Sequence, residues 1–190
     1  MSEREVLIGI TGGIAAYKTA VLVSKLVQEG IKVSVAMTDA ACQFVGTTTL
    51  AALSGRPVAT KAIDPDRFPR APHIELAERA ELFCVAPATA SFLAKAAHGH
   101  GDDLLATLYL CFAGPVLVAP AMNPDMWEKP AVRRNVQQLR DDGVTIIPPE
   151  EGWLSCGRKG PGRMAAPDFI QMHIQTTLQS IPKGPERPMN

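Results

Sequence analysis

The sequence predicts an α/β fold, a single doubly wound, Rossmann-like parallel sheet with helices on both faces, and three observations carry that expectation. Five short runs, over residues 6–10, 31–37, 82–86, 116–119 and 144–147, are largely apolar, with only the polar Lys32, Ser34 and Thr145 interrupting them. Central parallel strands read this way because both of their faces are buried. Segments of helical periodicity separate the runs, which is the alternation of a βαβ architecture. Finally, 46% hydrophobic and 20% charged residues over 190 positions describe an ordinary globular chain of one substantial domain, long enough to bury roughly 70% of its unfolded surface.

The elements follow in order. The first strand runs through a glycine turn into a helix over 15–29, where Ala16, Ala20, Val23 and Val27 recur at helical spacing and Gly30 closes the element. With the strand over 31–37 this makes a βαβ unit. Helices are predicted over 39–44 and 48–53. Residues 57–72 hold four prolines and read as a surface loop that delivers His73 to a helix over 74–80. Further helices are predicted over 91–97, 102–112, 131–141 and 168–179. Residues 148–167 break the rhythm with glycine, proline and charge, and a long irregular stretch of this kind is expected to be a lid or binding flap. The domain is expected to span 1–181, with 182–190 a disordered tail.

Charge and cysteine usage exclude several function classes. Nineteen basic residues balance nineteen acidic ones, so no nucleic acid or anionic membrane partner is expected. No apolar run approaches the ~18 residues of a membrane span. The amino terminus carries charges of both signs before the first strand, which is not a secretory leader, so a cytoplasmic location is expected. Cys42, Cys84, Cys111 and Cys156 form no C-x-x-C pair, which disfavours a metal site and a disulfide framework. The first three lie in apolar surroundings and read as packing. Cys156 instead sits in a glycine-rich loop near Arg158, Lys159 and Arg163.

Four segments could carry chemistry, all at predicted carboxyl ends of strands. Gly9-Ile10-Thr11-Gly12-Gly13-Ile14-Ala15 would let backbone N–H groups and a helix N-terminus approach a phosphate. It lacks the dinucleotide and nucleoside-triphosphate fingerprints, and a turn needed only for tight packing is the alternative. Thr38 and Asp39 follow the second strand, where an acid could bind ribose or simply cap a helix. Ala88, Thr89, Ala90 and Ser91 follow the third, either as ligand donors or as a cap. Between Pro120 and Trp127, Ala121, Met122, Asn123 and Met126 crowd an amide, thioethers and an indole together, more than a packing turn requires. His73, beside such an edge, has the reference pKa of an acid or base.

Together these residues resemble the homo-oligomeric flavin-containing cysteine decarboxylases over about residues 5–175. The resemblance is carried by Gly12-Gly13-Ile14-Ala15-Ala16-Tyr17-Lys18, His73-Ile74-Glu75-Leu76, Ala86-Pro87-Ala88-Thr89-Ala90, the Pro-Ala-Met-Asn-x-x-Met-Trp segment from Pro120 to Trp127, and Cys156-Gly157 with Gly162-Arg163-Met164. It implies a flavodoxin-like fold and non-covalent FMN, the phosphate near Gly12, Gly13, Ile14 and Thr38, with Ala88, Thr89, Ala90 and Ser91 along its other contacts. The implied reaction is decarboxylation of 4'-phosphopantothenoylcysteine to 4'-phosphopantetheine in coenzyme A biosynthesis. The thiol is oxidised, carbon dioxide leaves, and the enethiol is reduced. His73 would assist oxidation and decarboxylation, Asn123 would hold the substrate carboxylate with Ala121 and Met126 shaping its pocket, and Cys156 would donate the final proton.

The same resemblance implies an assembly built on trimers, with the flavin at a subunit interface and His73 and Asn123 reaching one site from different chains. Two positions depart from the family pattern: Arg158-Lys159 stands where relatives often carry an acid, and Ser91-Phe92 where many carry Asn-Thr. Lys159 or Arg158 is therefore expected to pair with the substrate phosphate when the flap closes. Relatives often continue into a ligase domain, and ligase activity is not expected of these residues. The competing readings are a decarboxylase of a peptide C-terminal cysteine and a non-catalytic regulatory subunit of the same fold.

Overall fold

The computed structural model describes residues 4–154, 157 and 159–182. Cys156, Arg158 and the expected tail from 183 onward lie outside the described residues. Five parallel strands, β1 (Glu5–Ile10), β2 (Lys32–Met37), β3 (Leu82–Ala88), β4 (Val116–Pro120) and β5 (Thr145–Ile146), form one sheet in the order β2-β1-β3-β4-β5. The order reverses between β1 and β3, so the loops leaving these two strands diverge to opposite faces and open a crevice at their carboxyl ends.

Period-two alternation distributes the strand side chains to two cores. Val6, Ile8 and Ile10 of β1 enter one with Leu22 and Leu26 of α1 (Ala16–Gln28), Leu50 of α3 (Thr47–Ser54), and Ile170 and Ile174 of α9 (Pro167–Ser180). Leu7 joins Phe83 and Val85 in the other, against α4 (Pro72–Arg79), α5 (Ala90–Ala97), α6 (Leu104–Cys111) and α8 (Pro130–Asp141). From Val6, Val33, Leu82 and Val116 onward the residues of β1 to β4 are thus buried whichever way they point, as the apolar runs required, whereas the run at 144–147 gives only a two-residue edge strand whose Thr145 is exposed and Ile146 half-buried. α1 ends where expected, with Gly30 in the left-handed conformation (φ 79°). The short α2 (Asp39–Cys42) starts at Thr38, whose hydroxyl accepts from the Ala41 N–H.

Two segments differ from the sequence expectation. Residues 148–167 are not irregular: β6 (Glu150–Trp153) and β7 (Lys159–Arg163) pair antiparallel as a separate two-stranded sheet. Glycine and proline hid this, because Gly152, Gly160, Pro161 and Gly162 supply no apolar alternation. The turn after β4 contains a short helix, α7 (Pro124–Trp127), capped by Asn123. Trp127 does not join Met126 at a surface site as expected. It is buried in the second core, with the Arg133 guanidinium 4.8 Å from its ring centroid.

Cys84 is buried as expected, and burial pushes its thiol up to about 12. Cys42 is half-buried. Cys111 departs from the packing role: it is exposed at the end of α6, its Sγ 3.5 Å from the His73 carbonyl.

Candidate functional site

The crevice at the topological switch point is held by one hydroxyl. Thr11, buried after β1, donates from Oγ1 to the Pro87 carbonyl (2.7 Å) and accepts from the Thr89 N–H (2.9 Å), while its own N–H reaches the same carbonyl at 3.2 Å. The β1–α1 and β3–α5 turns are therefore fixed to each other across the reversal. Between them the N-termini of α1 and α5 face a common space, and helix N-termini carry partial positive charge and unpaired N–H groups. Gly12 has a steric reason: a Cβ there would overlap the Cβ of Ala40. Gly13 meets no such obstacle, so its openness leaves the backbone approachable.

The turn after β4 forms the next wall. The Asn123 Oδ1 accepts from the Asp125 N–H at 2.8 Å and so caps α7. This local role was not foreseen from sequence, and it leaves the amide nitrogen as the donor of that side chain. The β6–β7 hairpin closes over the same turn. The Met122 N–H donates to the Gly162 carbonyl at 2.9 Å, and Gly162 adopts φ 115°. Gly160 also lies under α7, where a Cβ would meet Pro124 at 3.0 Å.

These walls enclose a half-open cleft of about 590 Å³, in the size range of small-molecule and cofactor sites. Of the residues singled out from sequence, Gly12, Gly13, Ile14, Thr89, Ala90, Ala121, Asn123 and Met126 line it together. Thr89 also caps α5, its hydroxyl accepting from the Phe92 N–H. Thr38 caps α2 with its hydroxyl as acceptor, Ala88 is buried in the second core, and Ser91 is exposed on α5; none of the three lines the cleft. Lys159 is exposed near the tip of the hairpin and does not line the cleft. His73, in the first turn of α4, does not line it either.

Residues the sequence reading gave no role complete the lining. Lys18 and Tyr17 come from α1, Trp153 and Leu154 from the hairpin's first strand and its end, Arg163 from its second strand and Met164 from just beyond it. Trp153 remains 64% exposed above the cleft. The Lys18 Nζ donates to the Met164 carbonyl at 3.0 Å. Burial, then the positive charge of Arg163, hold its pKa below the ordinary lysine value, and Glu150 opposes them. Lys18 was present in the glycine-turn motif, but nothing in one sequence could show that the hairpin folds back upon it. Among the described residues no group of three or more potential metal ligands occurs.

The known proteins that this chain resembles include the following three. The coenzyme A biosynthesis bifunctional protein CoaBC of Bacillus subtilis (strain 168) is 45% identical over 170 residues, 90% of this chain and 42% of that protein. The chain thus spans less than half the length of this curated relative. A PPC decarboxylase mutant complexed with pantothenoylaminoethenethiol superimposes with a TM-score of 0.84 at 29% identity, covering 94% of this chain and all of the other. The FMN-dependent cysteine decarboxylase SpaF gives 0.81 at 36% identity, covering 94% and 96%. The Flavoprotein family model matches residues 1–179. With the fold and nearly the whole chain in agreement, this chain belongs to the Flavoprotein family.

Proposed function

We propose that this chain binds FMN and decarboxylates 4'-phosphopantothenoylcysteine to 4'-phosphopantetheine, a step of coenzyme A biosynthesis in the cytoplasm. The observation that carries the reading is the convergence of the glycine turn, Thr89-Ala90 and Asn123 on one cleft. The donor set fits a flavin mononucleotide. Gly12 and Gly13 with the α1 N-terminus suit its phosphate, and the apolar side chains of Ile14, Ala90 and Met126 suit a planar ring. When bound, the flavin supplies two-electron oxidation of the cysteinyl thiol and the return of those electrons to the decarboxylated product.

The chain's own residues bind, orient and protonate. Asn123, its oxygen committed to the α7 cap, offers its Nδ2 to the substrate carboxylate. A neutral donor suits a group that must leave as carbon dioxide, because it orients the carboxylate without strongly stabilising its charge. Trp153 and Met126 exclude water from the reacting end. Cys156, on the flap proposed over residues 148–167, donates the final proton to the enethiolate carbon. A thiol with its reference pKa of ~8.5 is mostly protonated at neutral pH and can do so.

His73 does not line the cleft on its own chain, which fits the assembly built on trimers that the family resemblance implies, in which one protomer would supply His73 and its neighbour Asn123. The exposed Ile14, just before α1, and Tyr17 and Val21 on it are apolar surface of the kind an interface covers. The similarity at 36% identity to an FMN-dependent cysteine decarboxylase leaves one second reading, that the cysteine acted on belongs to another compound, such as the end of a peptide.

The test is a single-turnover reaction of the FMN-loaded protein with 4'-phosphopantothenoylcysteine, followed by flavin absorbance and product mass, beside Cys156→Ser. Release of phosphopantetheine by the wild type, with the variant stopping at the decarboxylated enethiol, is expected. A wild type that leaves this substrate intact and decarboxylates a cysteine-ended peptide overturns the reading in favour of the second.

A further inference from the structure

Among the described residues, two cations and no acid line the cleft. Lys18 enters from the first turns of α1 and Arg163 from β7. Lys18 uses one N–H on the Met164 carbonyl, which leaves two donors. Glu150 stands opposite Arg163 in the β6–β7 register, but its Oε1 accepts from the Ala166 N–H at 2.8 Å, and among the described residues Arg163 forms no ion pair with it. The guanidinium has a lane of its own. A Cβ on Gly152 would lie 2.9 Å from Arg163 Nη1 and 3.0 Å from its Cδ, so the missing side chain at 152 is what lets Arg163 lie across β6 at the cleft wall.

Two like charges in a shared, partly dehydrated space repel, and burial together with Arg163 depresses Lys18 accordingly. Such a pair becomes favourable when an anion lies between them. Resting on the decarboxylase reading, Asn123 already takes the substrate carboxylate and the glycine turn takes the cofactor phosphate. The substrate's remaining anion is its terminal phosphate, a group for which a guanidinium fork and a neighbouring ammonium are well suited. We propose that Arg163 and Lys18, brought together by the hairpin folding onto α1, hold the substrate's phosphoryl group and set the preference for a phosphorylated over an unphosphorylated cysteine compound. This role replaces the one the sequence suggested for Lys159, which stands outside the cleft.

The test is calorimetric titration of the FMN-loaded protein with 4'-phosphopantetheine and with pantetheine, for wild type, Arg163→Gln and Arg163→Lys. The ratio of the two affinities is the readout, because general damage to the hairpin lowers both together. Arg163→Gln should reduce that ratio by roughly tenfold to a hundredfold, the range of a lost charge-assisted hydrogen bond, and Arg163→Lys should restore part of it. Equal binding of both ligands by the wild type, or an unchanged ratio in Arg163→Gln, overturns the proposal. So does a selective loss of FMN over riboflavin in that variant, which would assign the cations to the cofactor's phosphate. A ratio that collapses as expected, in a protein that releases no carbon dioxide from phosphopantothenoylcysteine, leaves the phosphate seat standing and removes the decarboxylase reading alone.

Discussion

The Met122 N–H donates to the carbonyl of Gly162, and the two backbones pass so close that a Cβ on Gly162 would overlap the Met122 carbonyl oxygen. Gly162 also holds φ 115°, a conformation that L side chains adopt only under strain. This contact ties the hairpin to the turn that presents Asn123. Gly162→Ala should therefore cost about 1–3 kcal/mol from backbone strain alone and detach the hairpin. Thermal unfolding should register the loss, and limited proteolysis should cut within 148–167 in the variant much faster than in the wild type. Unchanged proteolysis would show that the contact is dispensable.

Gly12 is constrained by Ala40, whose methyl group would lie 2.4 Å from a Cβ at position 12 and whose backbone C and Cα would lie 3.0 and 3.2 Å from it. Gly12→Ala should lower the FMN retained on purification, because the glycine turn must move to admit the new methyl. Adding Ala40→Gly removes the worst overlap, leaving only the tight backbone contacts at 3.0 and 3.2 Å, and should recover part of the retained flavin. A double variant as poor as the single one would place the requirement on the backbone approach of the ligand instead.

Asn123 combines a cap with a proposed donor, and two substitutions separate them. Aspartate is as good an N-cap as asparagine, so Asn123→Asp should keep the unfolding temperature close to wild type. It removes the amide N–H groups and sets a negative charge where the substrate carboxylate belongs, and turnover should fall at least a hundredfold. Asn123→Ala loses the cap, about 0.5–2 kcal/mol, as well as the donor. Near-normal turnover by the aspartate variant would remove Asn123 from carboxylate binding.

Lys18 gives a pH dependence with a definite sign. Its pKa in the folded protein lies below the ordinary 10.5 because of burial and Arg163, so between the two values the unfolded chain binds more protons than the native one. Stability contributed by this group then rises with pH across that window and is flat on either side. Denaturant titrations of wild type and Lys18→Met between pH 7 and pH 11 should show the wild type gaining relative to the variant as pH rises. Arg163→Gln removes the second cause and should flatten part of that gain. A difference that shrinks with rising pH contradicts the assignment.

The division between what sequence and tertiary structure decide follows interaction range. The apolar runs at 6–10, 31–37, 82–86 and 116–119 determined buried parallel strands, since no other element accommodates successive apolar side chains of that length between helices. The glycine turn and the Pro120–Trp127 segment were legible as site elements because each is a local exception to packing chemistry. The hairpin at 150–163 was not, because its strands lack alternation and its stability comes from contacts with residues about 40 positions away, Met122 and Pro124. The same range effect concealed Thr11 as the clasp across the switch point, a bond to residues 76 and 78 positions distant. It also exchanged the indoles: Trp127, adjacent to Met126 in sequence, turns into the core, while Trp153, distant in sequence, reaches the cleft. Local chemistry named the groups that bind, and only the folding of distant segments onto one another decided which of them share a site.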